Sequence, residues 1–194
     1  MTEQELIELI LDFGVLTVKP EIQLKSGVMT DHFYNFGMVS SAETLSHLAC
    51  HMIANIYGDS YTTIFTSAYK GIMLAAALLF ECGNFYPNIK FNIGYLRKER
   101  KDHGEQGIVV GHHPKPGDVA VLVDDVFTSG QSLVEMAEFV KATGATVESA
   151  IVVVRRASPK VQAEIEERIG CPIRCLVSDE AVMAKYARRC RGRA

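Results

Sequence analysis

Long apolar runs are missing from this sequence. The longest, Ile72 to Phe80, covers nine residues, against about 20 for a bilayer-spanning helix. The opening segment, MTEQELIELILDF, carries acids where a secretory signal carries cations. With neither span nor signal, a cytoplasmic protein with no membrane partner is expected. An excess of cations is also missing: 20 Lys and Arg against 23 Asp and Glu leave a net charge of −3. That argues against general nucleic-acid binding, which favours a basic surface. Cysteines are few, scattered and odd in number (Cys50, Cys82, Cys171, Cys175 and Cys190). A chain long enough to build its own core does not need a disulfide framework. Cys171 and Cys175 have no second Cys or His pair at zinc-finger spacing, so buried or surface thiols are expected. Low-complexity segments and internal repeats are absent. What remains is 194 residues, 48% apolar and 22% charged, the mixture of a soluble globular protein. At roughly 150 residues per domain this length predicts one domain.

Along the chain, apolar strands alternate with helices. Leu6, Ile7, Leu9, Ile10 and Phe13 lie among acids at helical spacing, with Thr2 and Glu5 placed as a capping box and Gly14 as the stop. Residues 21–37 predict a hairpin turning at Ser26-Gly27. A helix is predicted over Glu43–Tyr57, a buried strand over Thr62–Thr66, a buried helix over Gly71–Cys82 and a strand over Ile89–Leu96. Residues 98–117 are polar and rich in Gly and Pro, so much of that stretch is expected to be loop. Then come strand Val119–Val123, helix Ser132–Thr143, strand Ala150–Val154, helix Lys160–Ile169, strand Pro172–Val177 and a last helix capped by Ser178. This alternation predicts an α/β class with a mainly parallel sheet, whose ligands bind at the carboxyl ends of the strands.

Residues 119–132 read VAVLVDDVFTSGQS. An apolar strand runs into Asp124 and Asp125, and Thr128, Ser129, Gly130 and Gln131 lead to a helix at Ser132. Small residues let such a loop fold tightly and aim several N–H groups inward, and the helix N-terminus adds about half a positive charge. Together they predict a phosphate cradle. A Walker P-loop is excluded because no Gly-Lys-Ser/Thr follows, and a dinucleotide fingerprint because GxGxxG is missing. Two carboxylates at a strand end suit the vicinal hydroxyls of a ribose, so the ligand suggested is a ribose 5-phosphate.

Residues 121–132 resemble the phosphoribosyl-diphosphate (PRPP) motif of the type I phosphoribosyltransferases. Four further segments, in order, resemble orotate phosphoribosyltransferase within that family. They are Leu24-Lys25-Ser26-Gly27 with Phe33-Tyr34-Asn35, Ser67-Ala68-Tyr69-Lys70-Gly71-Ile72, the charged stretch RKERKDHGE at 97–105, and Arg156 after the strand 150–154. The resemblance spans residues from about 6 to 156. It departs at Val28-Met29-Thr30-Asp31-His32, where the family carries Arg and then Ser-Pro-Tyr, and Ser67 and Ser129 stand for the usual Pro and Ala.

The resemblance implies a type I phosphoribosyltransferase-like fold: a mainly parallel sheet flanked by helices, with residues 1–40 forming a small hood on a single domain. It implies an enzyme of pyrimidine biosynthesis that joins orotate to PRPP, giving orotidine 5′-monophosphate and diphosphate, with Mg2+ held through PRPP and water rather than by a protein cage. Asp124 and Asp125 are expected at the ribose hydroxyls, and residues Val126, Phe127, Thr128, Ser129, Gly130, Gln131 and Ser132 around the 5′-phosphate. Lys25, Tyr69, Lys70, Arg97, Lys98, Lys101 and His103 complete the PRPP site. Lys101 is expected to make the main transition-state contact, with His103 as its titratable neighbour. Phe33, Tyr34, Thr128 and Arg156 are expected at orotate, and a homodimer sharing its charged loop is implied. Transfer to another nucleobase, or a PRPP-binding regulator without catalysis, are the alternatives. His47 and His51 sit four apart on a helix without a third ligand, so surface or packed histidines are expected there. The sequence assigns no role to His112-His113. The basic C-terminal helix is expected to be a solvated helix end.

Overall fold

The structure is a computed structural model that describes residues 2–23, 29–56, 60–85, 87–88, 91–101 and 107–192. Helix α1 (Glu3–Asp12) starts from the expected capping box, the Thr2 N–H donating to Glu5 Oε2 at 2.6 Å and the Glu5 N–H to Thr2 Oγ1 at 3.3 Å. These bonds satisfy two backbone donors left free at the helix start. Strands β1 (Leu16–Gln23) and β2 (Met29–Tyr34) pair antiparallel, from Leu16 with Tyr34 to Gln23 with Met29. That is the predicted hairpin; its turn at Ser26-Gly27 lies outside the described residues. Helix α2 (Ala42–Ile53) stops short of Tyr57. The N–H groups of Asn55 and Ile56 reach back three residues, to Met52 and Ile53, and tighten the chain into a turn.

The second sheet holds six strands. In chain order its elements are β3 (Thr63–Ser67), α3 (Lys70–Phe85), β4 (Asn92–Lys101), β5 (Gly107–Gly111), β6 (Val119–Phe127), α4 (Gln131–Ala142), β7 (Thr146–Arg155), α5 (Pro159–Ile169), β8 (Ile173–Ser178) and α6 (Asp179–Arg191). The spatial order is β5-β4-β3-β6-β7-β8, parallel throughout except for β5. Successive strand residues face opposite sides, and each side has its own core. Val121, Val123, Ile151 and Val153 pack with Leu6, Ile10, Leu48, Leu74 and Val182 of α1, α2, α3 and α6. Ala120, Leu122, Ala150 and Val152 pack with Leu133, Ala137 and Ile169 of α4 and α5. The hood helix α1 thus shares a core with the sheet. Among the described residues no helix is long and apolar enough to cross a membrane.

Two strands run further than the sequence predicts. Strand β4 continues to Lys101 because β5 returns alongside it, pairing Leu96 with Val109 and Lys101 with Gly107. Arg97 and Lys98 therefore stand on a strand rather than in a loop. Strand β6 continues to Phe127 because β7 runs beside it, pairing Asp124 with Val152 and Phe127 with Arg155. Arg155 pairs in turn with Ser178 of β8, so these strands end along one edge.

Two segments without an assigned function hold the fold together. His112 Nε2 lies 2.7 Å from Asp118 Oδ2, which also accepts from the Lys115 N–H at 3.0 Å, fixing the turn that feeds β6. The basic C-terminal helix is not simply solvated: Lys185 meets Glu8 at 2.5 Å, and Arg189 pairs with both Glu8 and Asp12. Burial pushes the thiols of Cys82, Cys171 and Cys175 up to about 11, so they stay protonated at neutral pH.

Candidate active site

The site is built on the last turns of β6. The Asp125 N–H donates to Asp124 Oδ1 at 2.9 Å, and the Val126 N–H to Asp125 Oδ1 at 3.0 Å. Strand alternation turns Asp124 toward α4 and Asp125 toward α3. Burial, and then the neighbouring Asp125, push the Asp124 carboxyl up to about 7, against the pull of the Asp125 N–H hydrogen bond. On the other side Lys70 Nζ stands 3.3 Å from Asp125 Oδ2. That oxygen is buried and accepts no hydrogen bond among the described residues. Paired acids of this kind, with one cation, suit a ligand that brings its own hydroxyls.

After β6 the chain turns sharply into α4. Gly130 caps the helix with φ at +76°, in the left-handed region, and no side chain caps the free N–H groups. A Cβ on Gly130 would lie 2.7 Å from Ile165 and 2.9 Å from Phe127, so only glycine fits. Ser132 does not turn back to cap the helix; its hydroxyl donates to Ser67 Oγ at 3.0 Å. The result is a cavity of about 110 Å³ lined by Asp124, Val126 and residues 127–133, in front of an uncapped helix start. Phe127 is buried in the core, and the Gln131 side chain is held by Glu135 at 2.9 Å. Those two therefore offer backbone rather than side chain. Thr128 and Ser129 are exposed and free to reach a ligand.

Strand β3 delivers Ser67, Ala68, Tyr69 and Lys70 to the same edge. The Ala68–Tyr69 peptide is cis. Helix α3 begins close against the sheet: a Cβ on Gly71 would lie 2.0 Å from Thr66 Oγ1, itself donating to the Val123 carbonyl at 2.7 Å. Tyr69 is exposed, and Lys98 Nζ lies 4.6 Å from its ring centre, a cation–π arrangement. A second cavity, about 590 Å³, adjoins here, lined by Ser67, Ala68, Arg97, Lys98, Ser132 and the α4 residues Glu135, Met136 and Phe139 among others. Of the expected PRPP residues, the structure thus brings Tyr69, Lys70, Arg97, Lys98, Asp124, Asp125 and 126–132 to one edge. Lys25, His103 and the Lys101 side chain lie outside the described residues.

The hood approaches this edge from the β7 side. Arg156 follows β7, its N–H donating to the Phe127 carbonyl at 2.8 Å. Its guanidinium donates to Thr30 Oγ1 at 2.9 Å and lies 6.0 Å from the Tyr34 ring centre. Tyr34 is buried in the core, and its hydroxyl donates to Asp179 at 2.6 Å. Burial, then this acceptor, push the phenol well above its usual range. Phe33 is half-buried.

Residues 40–176 match the family model for the phosphoribosyl transferase domain. The chain is 36% identical over 178 residues to an orotate phosphoribosyltransferase of Halorhodospira halophila, covering 88% of this chain and 81% of that one. It is 33% identical over 191 residues to an orotate phosphoribosyltransferase of Acinetobacter baumannii, covering 93% and 85%. The crystal structure of the Francisella tularensis orotate phosphoribosyltransferase superposes with a TM-score of 0.72 at 26% identity, over 95% of this chain and 90% of that one.

The chain belongs to the orotate phosphoribosyltransferase family.

In this phosphoribosyltransferase the acid pair lies near the end of β6, and the small-residue turn after it leads into α4. The sequence marks Thr30 and His32 only as departures from the family pattern and gives Asp179 no role. His32 is buried, its Nδ1 2.6 Å from Asp31 Oδ1 and its Nε2 2.8 Å from Asp179 Oδ1. Asp179 is 147 residues from His32, so no local pattern joins them. Among the described residues no three His, Cys, Asp or Glu side chains gather as a metal cluster.

Proposed function

We propose that this phosphoribosyltransferase transfers the phosphoribosyl group of PRPP to orotate, giving orotidine 5′-monophosphate and diphosphate. The observation that carries this reading is the convergence at one sheet edge of the two carboxylates of β6, the uncapped start of α4 and Lys70 of α3. The α4 N–H groups and the Thr128 and Ser129 hydroxyls hold the 5′-phosphate, where the helix dipole favours an anion. Asp124 and Asp125 accept from the ribose hydroxyls. As the bond from ribose C1 to the diphosphate breaks, positive charge develops on the sugar, and these fixed carboxylates lie where they stabilise it. Lys70, Arg97 and Lys98 draw in the departing diphosphate, joined by Lys101, with His103 as its titratable neighbour. Phe33 packs at the edge of orotate, and Arg156 with Thr128 orients it so that its nitrogen meets C1. Asp125 Oδ2, beside Lys70 and accepting no hydrogen bond among the described residues, is a hard oxygen of the kind that accepts from magnesium-bound water. Asp124 and Asp125 would hold Mg2+ through PRPP hydroxyls and water, and the ion supplies charge neutralisation to the diphosphate. Oligomerisation to a homodimer that shares the charged stretch belongs to the same reading.

One observation favours a second reading, transfer to another base: the Arg156 guanidinium is already bonded to Thr30, within the segment that departs from the family pattern. An absorbance assay of orotate with PRPP and Mg2+, run beside hypoxanthine, adenine and uracil, decides. Loss of orotate that requires both PRPP and Mg2+ is expected. Turnover of a purine or uracil with no loss of orotate would overturn the first reading.

A further inference from the structure

One carboxylate oxygen gathers the hood. Asp179 Oδ1 lies 2.8 Å from His32 Nε2, accepts from the Tyr34 hydroxyl at 2.6 Å, and stands 3.9 Å from Arg156 Nε. His32 and Tyr34 are two apart on β2 and share a face, their rings meeting edge-on at 5.9 Å. Asp179 opens α6 just after the cap Ser178, whose hydroxyl accepts from the Ala181 N–H at 3.2 Å, so its backbone is fixed and the helix start favours its charge. Arg156 is anchored to the cradle through the Phe127 carbonyl and crosses to Thr30 on β2. Among the described residues, polar contacts thus tie β2 to Arg156, through Thr30, and to Asp179, through His32 and Tyr34.

We propose that Asp179 is a positioning residue for the base site, setting the pose of β2 and Arg156 against the PRPP cradle. The inference rests on the orotate reading given above. A two-stranded hairpin is marginal alone, so its docking contacts decide where Phe33 and Arg156 stand. His32 is 7% exposed and Tyr34 4% exposed, and buried polar groups left without an acceptor are costly. Removing the Asp179 carboxylate strands the Tyr34 hydroxyl and the Nε2 of His32, whose Nδ1 keeps Asp31, and takes away the anion 3.9 Å from Arg156 Nε. The cradle is built on β6 and α4, and Asp179 reaches it only by way of Arg156 among the described residues. The effect should thus fall on the base and spare PRPP.

The test compares Asp179→Ala, Asp179→Asn and Tyr34→Phe with the wild type. Two readouts are needed: separate KM values for orotate and PRPP, and amide hydrogen exchange across residues 29–34. In Asp179→Ala the KM for orotate should rise about tenfold while the KM for PRPP stays within about twofold. Exchange in β2 should quicken by about tenfold with β6 and α4 unchanged. Asp179→Asn keeps an oxygen acceptor and should recover most of both effects. Tyr34→Phe, which keeps the ring and the carboxylate, should give a smaller shift of the same kind and serves if the alanine variant does not fold. Both KM values rising together would mark a general structural role and overturn the proposal, as would unchanged exchange in β2. If the wild type consumes no orotate, the functional reading falls by itself. Exchange then still judges the tie: a rise confined to β2 supports it and no rise refutes it.

Discussion

Asp124→Asn should flatten the dependence of stability on pH in the substrate-free protein. Burial and then Asp125 push the Asp124 carboxyl from an ordinary 3.8 to about 7. Between those values the native state keeps a proton that the unfolded chain has released. Stability therefore falls as pH rises across this window and levels off above it. Each pH unit inside the window costs about 1.4 kcal/mol. From about pH 5.5 to about pH 8.5 the wild type should lose about 2 kcal/mol through this one group, because the loss stops near the native pKa. Asparagine carries no charge and keeps an Oδ1 for the Asp125 N–H, which donates to Asp124 Oδ1 at 2.9 Å in the wild type. The variant should thus gain about 2 kcal/mol on the wild type over the same range. Urea unfolding at the two pH values, with equal slopes, reads the difference. A gap between the proteins that is the same at both values would refute the reasoning. The same variant should bind PRPP more weakly, since a neutral amide is a poorer acceptor for ribose hydroxyls than a carboxylate.

Three further outcomes follow from the geometry. Gly130→Ala should cost about 1–3 kcal/mol by chemical denaturation and weaken PRPP binding by calorimetry, because its Cβ meets Ile165 at 2.7 Å at a φ of +76°. Lys70→Met should lower PRPP affinity about tenfold or more in titration calorimetry and make the remaining binding less sensitive to salt, since the cation 3.3 Å from Asp125 is lost. His112→Ala should cost about 1–2 kcal/mol in thermal unfolding, through its 2.7 Å contact to Asp118, while both KM values stay unchanged, because that turn lies at the other end of β6.

The acid pair, the small-residue loop and the helix start were legible because they lie within fourteen consecutive residues, Val119 to Ser132. Local geometry alone requires small residues where the chain turns and an apolar run where it is buried. The capping box at Thr2 and the cap at Ser178 were legible for the same reason: each is completed within three residues. Strand ends were not. Whether Arg97 and Lys98 are strand or loop depends on β5 returning beside them, and Asp124 stays in the ladder because β7 runs past it. Neither partner is visible from the segment itself.

By itself, then, the sequence determined the alternation of strands and helices, the apolar runs of β6 and β7, and the acid pair with the small-residue turn that follows it. These rest on periodicity and short-range steric rules. Only the tertiary structure decided that Lys70 faces Asp125, that Ser132 bonds Ser67 instead of capping its helix, and that His32, Tyr34 and Arg156 meet Asp179. Those contacts join residues far apart in the chain, and the parallel sheet sets them by ending several strands along one edge.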